Sequence, residues 1–160
     1  MVMDYLRSGK SVALITESGT PAISDPGSMV LKKVIEGKIR VEIIPGPTAF
    51  LPALLLSALR PQPFLFYGFL PSTPRRRRRV LRELEELPYT MIFYESPHRI
   101  IQSLREIRNV LGSRIVSLSR ELTKLYEETI RGKVDDVLKE LEANPRKGEM
   151  VIVVEGKSKD

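Results

Sequence analysis

The chain has no cysteine, and that absence excludes disulfide frameworks, thiolate nucleophiles and cysteine-based zinc sites together. It has one histidine, His98, too few for a multi-histidine metal centre, and no metal is expected. Amides are scarce, only Asn109, Asn144, Gln62 and Gln102, while Arg, Lys and Glu abound, a composition expected of a heat-adapted source. Long apolar runs are lacking as well. The richest, Phe50 to Leu59, is broken by Pro52 and Ser57 and falls short of the roughly 20 residues that span a bilayer. The first residues, Met1 to Arg7, carry an early acid and do not read as a signal peptide. The expected compartment is the cytoplasm, with no membrane contact.

What the chain does have is positive charge and an α/β rhythm. Lys and Arg total 26 against 20 Asp and Glu, a formal net charge of +6 with a pI near 9.7, which suits a polyanionic partner. Short β-branched runs alternate with segments of helical periodicity. Strands are expected at Val12 to Thr16, Val41 to Ile44, Phe64 to Gly68, Thr90 to Tyr94, Ile115 to Ser119, within Tyr126 to Arg131, and at Met150 to Val154. Between them fall helices near Pro26 to Ile35, with Asp25 as N-cap, and Ala49 to Leu59, capped by Thr48. Further helices start at Thr73-Pro74 and Ser96-Pro97, and another covers Lys133 to Glu142. Arg60-Pro61-Gln62-Pro63 can continue neither a helix nor a central strand, so a domain boundary is expected there, with domains at 1–60 and 64–160.

In open α/β sheets ligands collect at the carboxyl ends of strands, which directs attention to the loops after Thr16, Ile44, Tyr94 and Ser119. The first, Ser18-Gly19-Thr20-Pro21-Ala22-Ile23-Ser24-Asp25-Pro26-Gly27, sets small residues beside free backbone N–H groups at a helix start. It lacks the Lys-Ser/Thr end of a Walker loop and is no Gly-x-Gly-x-x-Gly fingerprint; a proline-stiffened turn with an ordinary Asp cap accounts for it equally well. The second is Pro45-Gly46-Pro47-Thr48-Ala49. On adjacent parallel strands the two loops would form one wall, rich in amides and poor in bulk, suited to a nucleoside or the amino-acid part of a cofactor.

Arg75, Arg76, Arg77, Arg78 and Arg79 are five consecutive cations at a helix start, where the macrodipole disfavours them. Two accounts stand: a solvated helix start neutralised by Glu83, Glu85 and Glu86, or a contact to the RNA backbone driven by counterion release.

Six ordered blocks carry a resemblance. They are Ala13 to Gly27, Val41 to Ala49, Tyr67-Gly68-Phe69-Leu70-Pro71, Ile92-Phe93-Tyr94-Glu95-Ser96-Pro97-His98-Arg99, Ser119-Arg120-Glu121-Leu122-Thr123-Lys124, and Arg146 to Gly156. Together they resemble the ribosomal RNA small subunit methyltransferase I family, of the tetrapyrrole-methylase fold class. The resemblance implies two α/β domains with a cofactor cleft between them, the first domain incomplete. It implies S-adenosylmethionine as cofactor and 2′-O-methylation of a cytidine ribose in small-subunit (16S) rRNA, with rRNA or the 30S subunit as partner and a homodimer as assembly. Gly19, Ser24, Asp25, Pro26, Gly27, Pro47, Thr48 and Ala49 are the implied cofactor-binding residues. Glu95, His98 and Glu121 are candidates for the base that takes the hydroxyl proton or orients the ribose. Arg99, Arg120 and Lys124 join the arginine run as phosphate holders, the bland reading of Arg120, Glu121 and Lys124 being a surface ion-pair cluster. Family members open with a strand, a Gly-containing loop and a Glu-Asp-Thr-Arg segment, and the chain has neither, starting one helix before Val12. A methylase of tetrapyrrole precursors and an RNA- or ribosome-binding fragment without catalysis are the alternatives.

Overall fold

The computed structural model describes residues 1–17, 19–24 and 26–158. The chain divides into two units, Met1–Thr48 and Ala49–Asp160.

The first unit holds α1 (Val2–Arg7) and α2 (Ser28–Glu36). Its expected strands are corrected: Val12 to Thr16 and Val41 to Ile44 form no ladder among the described residues. A strand is stable only when a neighbour takes up its N–H and C=O groups. Here the apolar side chains that a buried strand would hide stand in solvent instead, Ile15 at 86% and Ile44 at 87% exposure. Helix α2 starts two residues later than the proline signal placed it, with Gly27 as N-cap at φ 145°. That φ is one residues with a Cβ rarely adopt, so the turn favours glycine at this position. The cap expected of Asp25 lies outside the described residues.

The second unit is built on one five-stranded sheet. Helix α3 (Phe50–Leu56) precedes β1 (Phe64–Phe69), α4 (Pro74–Leu84), β2 (Thr90–Glu95), α5 (Ile100–Leu111), β3 (Ile115–Arg120), β4 (Glu128–Lys133), α6 (Val134–Ala143) and β5 (Met150–Val154). The strand order is β1-β2-β5-β3-β4. β1 and β2 are parallel, and β5 lies antiparallel to β2 and β3 on either side of it. Alternation sorts the sheet's two faces. Met91, Phe93, Val116, Leu118, Met150, Ile152 and Val154 pack under α4, α5 and α6, while Ile92, Val151 and Val153 meet Ala53 and Leu54 of α3. All five residues of β5 are buried, as a central strand covered on both faces requires.

That second face explains why α3 belongs with this unit, where the proline-rich 60–63 stretch had placed a boundary after it. Arg131 Nε donates to Leu56 O, fastening the end of α3 to β4. The helix stops at Leu56, short of the expected Leu59, because Ser57 Oγ turns back to donate to Leu54 O (2.6 Å) and accepts from Leu59 N (3.1 Å). Ala58 then adopts φ 58°. Thr48 makes no cap bond to α3, whose N-cap is Ala49; its hydroxyl donates to Gly46 O at 3.2 Å.

Candidate functional site

In the first unit the two expected cofactor loops do meet, although the strands before them do not pair. Thr20 Oγ1 donates to Pro47 O at 3.2 Å and lies 3.5 Å from Thr48 Oγ1. Gly19 sits in the left-handed region at φ 72°, where a Cβ would stand 3.7 Å from Pro47 O. An open recess of about 600 Å³ is lined by Ile15, Thr16, Glu17, Pro21 and Pro26. Among the expected contacts, Pro26 lines this recess, Gly27 caps α2, and Ser24 is exposed. Pro47 and Thr48 take part in the loop-to-loop bonds, and Ala49 opens the second unit.

In the second unit β1, β2 and β3 run in one direction, since β5 opposes both β2 and β3. Their carboxyl ends therefore share one edge of the sheet with the starts of β4 and β5. Glu95, His98, Arg99, Arg120, Glu121 and Lys124 are brought together at this edge, as are the arginines that open α4.

Their chemistry differs from the sequence expectation. Glu95 is 2% exposed. One carboxylate oxygen accepts Ser96 N at 2.9 Å and lies 3.3 Å from Arg99 Nε; the other accepts Ser103 Oγ at 2.5 Å. A carboxylate enclosed and occupied in this way organises the β2–α5 turn. Arg99 also donates through Nη2 to Leu70 O at 2.7 Å and Pro71 O at 3.3 Å, so it ties the turn after β2 to the one after β1. Arg77 corrects the reading of the arginine run as a surface patch. It is fully buried, donates to Ser103 Oγ at 3.3 Å, and its Nε and Nη2 make no hydrogen bond among the described residues. Residues 77, 81 and 84 share one helix face, and Leu81 and Leu84 are core, so Arg77 is carried inward with them. Arg78 reaches Glu106 (3.2 Å) and Arg79 reaches Glu83 (3.0 Å). Arg75 and Arg76 are exposed and form no ion pair among the described residues.

The loop after β3 is also engaged. Glu121 Oε1 accepts Glu149 N at 2.8 Å and Lys124 Nζ at 3.3 Å. The Glu149 amide foremost, with Lys124 and Arg120 adding to it against the effect of burial, holds the Glu121 carboxyl below the ordinary glutamate range, which weakens it as a base. Gly148 makes room for it: a Cβ there would stand 2.5 Å from Glu121 Cγ. Glu121 and Thr123 both have positive φ, 48° and 66°, a costly conformation for residues with a Cβ and one that clusters at functional sites. Lys124 bridges Glu121 and Glu149 (2.9 Å), and these two carboxylates raise its ammonium pKa. Arg120 donates through Nε to Glu128 Oε2 at 2.7 Å and through Nη1 to Lys147 O at 3.3 Å, so two of its guanidinium nitrogens are engaged inside the protein. His98 alone of the three candidate bases is exposed, and no hydrogen bond or ion pair of its side chain occurs among the described residues.

Residues the sequence reading passed over complete the arrangement. Ser103 and Glu106 lie on the buried side of α5 among Ile100, Leu104 and Ile107, and polar residues on an otherwise apolar stripe were the available signal. Glu128 accepts Arg146 through both oxygens at 3.0 Å, and Arg146 Nη2 also reaches Glu140 at 2.9 Å. Arg146 chiefly, with Arg120 assisting against the opposing effect of burial, holds Glu128 below the ordinary 4.5. A carboxylate depressed in the folded state stabilises it at pH values above its unfolded pKa, and that contribution is lost as pH falls through the folded value. Urea titrations are therefore expected to show stability declining below about pH 4.5, with Arg146→Met making that decline shallower. An identical acid limb in the variant would remove this pair from the explanation.

Comparison with known proteins places the chain. The tetrapyrrole (corrin/porphyrin) methylases match over residues 1–138. The ribosomal RNA small subunit methyltransferase I of Bacillus subtilis (strain 168) is 40% identical over 159 residues, which are 99% of this chain and 54% of that protein. Its namesake from Thermotoga maritima is 38% identical over 156 residues, 98% of this chain and 70% of that one. The chain thus spans about half the length of the first of these curated relatives. Among solved structures, the methyltransferase CobJ superposes with a TM-score of 0.70 at 18% identity, covering 96% of this chain and 68% of that one. A uroporphyrin-III C-methyl transferase from Thermus thermophilus, complexed with S-adenyl homocysteine, gives 0.54 at 18% identity over 84% of this chain and 62% of that one. At such identities the structures speak for the α/β fold, and the closer sequence relatives speak for the family. The chain belongs to the tetrapyrrole methylases and, within them, to the ribosomal RNA small subunit methyltransferase I family.

Proposed function

We propose that the chain serves S-adenosylmethionine-dependent 2′-O-methylation of a cytidine ribose in small-subunit rRNA. The observation that carries the reading is identity of about 40% along 99% of the chain to proteins named for rRNA methylation. The likeness to tetrapyrrole methyltransferases, at 18% identity, does not extend to their substrates.

The first unit fits the cofactor. Ile15, Pro21 and Pro26 give the recess apolar walls, and Glu17 gives it a carboxylate for the polar groups of a nucleoside or a cationic amino acid. Gly19, held over Pro47, leaves backbone free of side-chain bulk beside it. When bound, S-adenosylmethionine supplies an electrophilic methyl group.

The protein's own part is to bind, orient and take up a proton. His98, exposed beside the Glu95–Arg99 turn, is the group able to accept the ribose hydroxyl proton; Glu95 and Glu121 hold the turns around it. Within the arginine run, Arg75 and Arg76 are exposed and form no ion pair among the described residues, so they are available to phosphate, and the family reading makes the rRNA or the 30S subunit the partner.

Incubation of the chain with methyl-labelled S-adenosylmethionine and 30S subunits, followed by nuclease mapping, is expected to place label on a ribose of 16S rRNA. Cofactor binding by calorimetry without transfer to RNA would sink the reading.

A further inference from the structure

A row of aromatic rings crosses the α3 side of the second unit's sheet. Phe50 stacks on Phe66 with centroids 4.4 Å apart and lies 6.2 Å from Phe64. Phe66 meets Tyr94 edge-on at 5.0 Å, and Tyr94 meets Phe69 edge-on at 5.6 Å. Phe50, Phe64, Phe66 and Tyr94 are partly buried against Ala53, Leu54, Ile92, Val151 and Val153. Phe69 ends the row 52% exposed.

An irregularity puts it there. On a regular strand residues 66 and 69 project to opposite faces. Pairing of β1 with β2 runs Phe66 to Ile92, then Gly68 to Phe93 and Phe69 to Tyr94, so Tyr67 is one residue more than the partner strand matches. Gly68, at φ 82°, absorbs the kink. The bulge returns Phe69 to the face of Phe66 and Tyr94, and re-aiming a side chain beside a site is a recurrent use of bulges. The backbone immediately after the ring is clamped, because Arg99 holds Leu70 O and Pro71 O. The carboxyl-terminal sheet edge on which the ring stands also carries cations. Lys124, half exposed, is bound to Glu149, whose charge acts on the Tyr94 phenol, and Arg75 and Arg76 open the helix that follows β1.

We propose that Phe69 and Tyr94 form a stacking platform for an unpaired nucleobase of the RNA substrate. This rests on the reading of the substrate as RNA. A ring half in water at the rim of a cationic edge suits a flat π-face that arrives with phosphates attached, and such a face is free only in single-stranded or flipped-out nucleotides.

The chain has no tryptophan, so F69W installs a single tryptophan whose emission can be excited apart from the tyrosines. Titration with a mixed-sequence single-stranded RNA oligonucleotide is expected to quench it. F69A is expected to weaken binding of that oligonucleotide by about 5- to 150-fold, the loss of one stacked base, with the salt dependence of binding unchanged. S-adenosylmethionine affinity measured by calorimetry should stay at the unsubstituted value. F69L separates stacking from plain apolar contact: it should behave like F69A, and F69L binding as tightly as the unsubstituted chain overturns the platform. If F69A keeps its RNA affinity, or loses cofactor affinity instead, the platform is likewise overturned while the RNA reading survives. An unsubstituted chain that binds neither the oligonucleotide nor 16S rRNA removes that reading, and the platform with it. Circular dichroism of each variant confirms that an exposed ring was changed without loss of the fold.

Discussion

Glu95→Ala is expected to lower the unfolding free energy by about 3–5 kcal/mol, the usual cost of removing one member of a buried charged pair. The carboxylate is enclosed, and three groups depend on it: the Ser96 amide, the Ser103 hydroxyl and the Arg99 guanidinium. Without it Ser103 loses its short bond, and Arg77, fully buried with Ser103 as its hydrogen-bond acceptor, is left beside an emptied site. Glu95→Gln keeps an acceptor oxygen but not the charge, so it should fall between the unsubstituted chain and Glu95→Ala. Urea denaturation at pH 7 measures all three. The result also decides what Glu95 is for. A loss under about 1 kcal/mol, joined to abolished methyl transfer, would restore the carboxylate as a base, because a group spent on structure costs stability when removed.

Double replacement of Arg75 and Arg76 by alanine is expected to weaken RNA binding about 25- to 60-fold at 0.1 M salt, and to make the slope of log affinity against log salt shallower by about 1.4–1.8. Both figures follow from losing two phosphate contacts, each of which releases most of one counterion. These two residues are chosen because the fold distinguishes within the run. Arg78 and Arg79 are shared with Glu106 and Glu83, and Arg77 is interior. Filter binding across a salt series supplies the test. A slope equal to that of the unsubstituted chain would remove the helix start from the RNA contact, whatever happened to affinity.

Much of the second unit was legible in one dimension. Phe64 to Gly68, Thr90 to Tyr94, Ile115 to Ser119 and Met150 to Val154 appear within a residue of their expected limits, because each is a short apolar run bounded by turn residues. Pro74 opens its helix where the pattern puts it, α6 starts at Val134, one residue after the expected Lys133, and the runs at 100–111 and 134–143 bury the stripes their periodicity marks. The first unit was misread because apolar β-branched runs are necessary for a strand but do not supply its partner. Val12 to Thr16 and Val41 to Ile44 have the composition, and no described residue completes their ladder. The two loops after these runs nevertheless meet, through Thr20 and Pro47 and not through the paired strands expected to align them.

The site shows the same division. Charge, order of blocks and the placing of polar loops can be read from residues alone, since each depends on near neighbours in the chain, and the ordered blocks carry the resemblance to the family. Which arginine of five is interior, which carboxylate is already occupied, and which aromatic faces solvent could not be read, because each depends on partners far along the chain. Arg77 is settled by Ser103, Glu121 by the amide of Glu149, and Phe69 by a bulge whose register exists only once β1 has paired with β2. Residue type and spacing determined the elements and their character. Burial, hydrogen-bond partners and strand register, which arise only when separate elements pack, decided what each side chain is free to do.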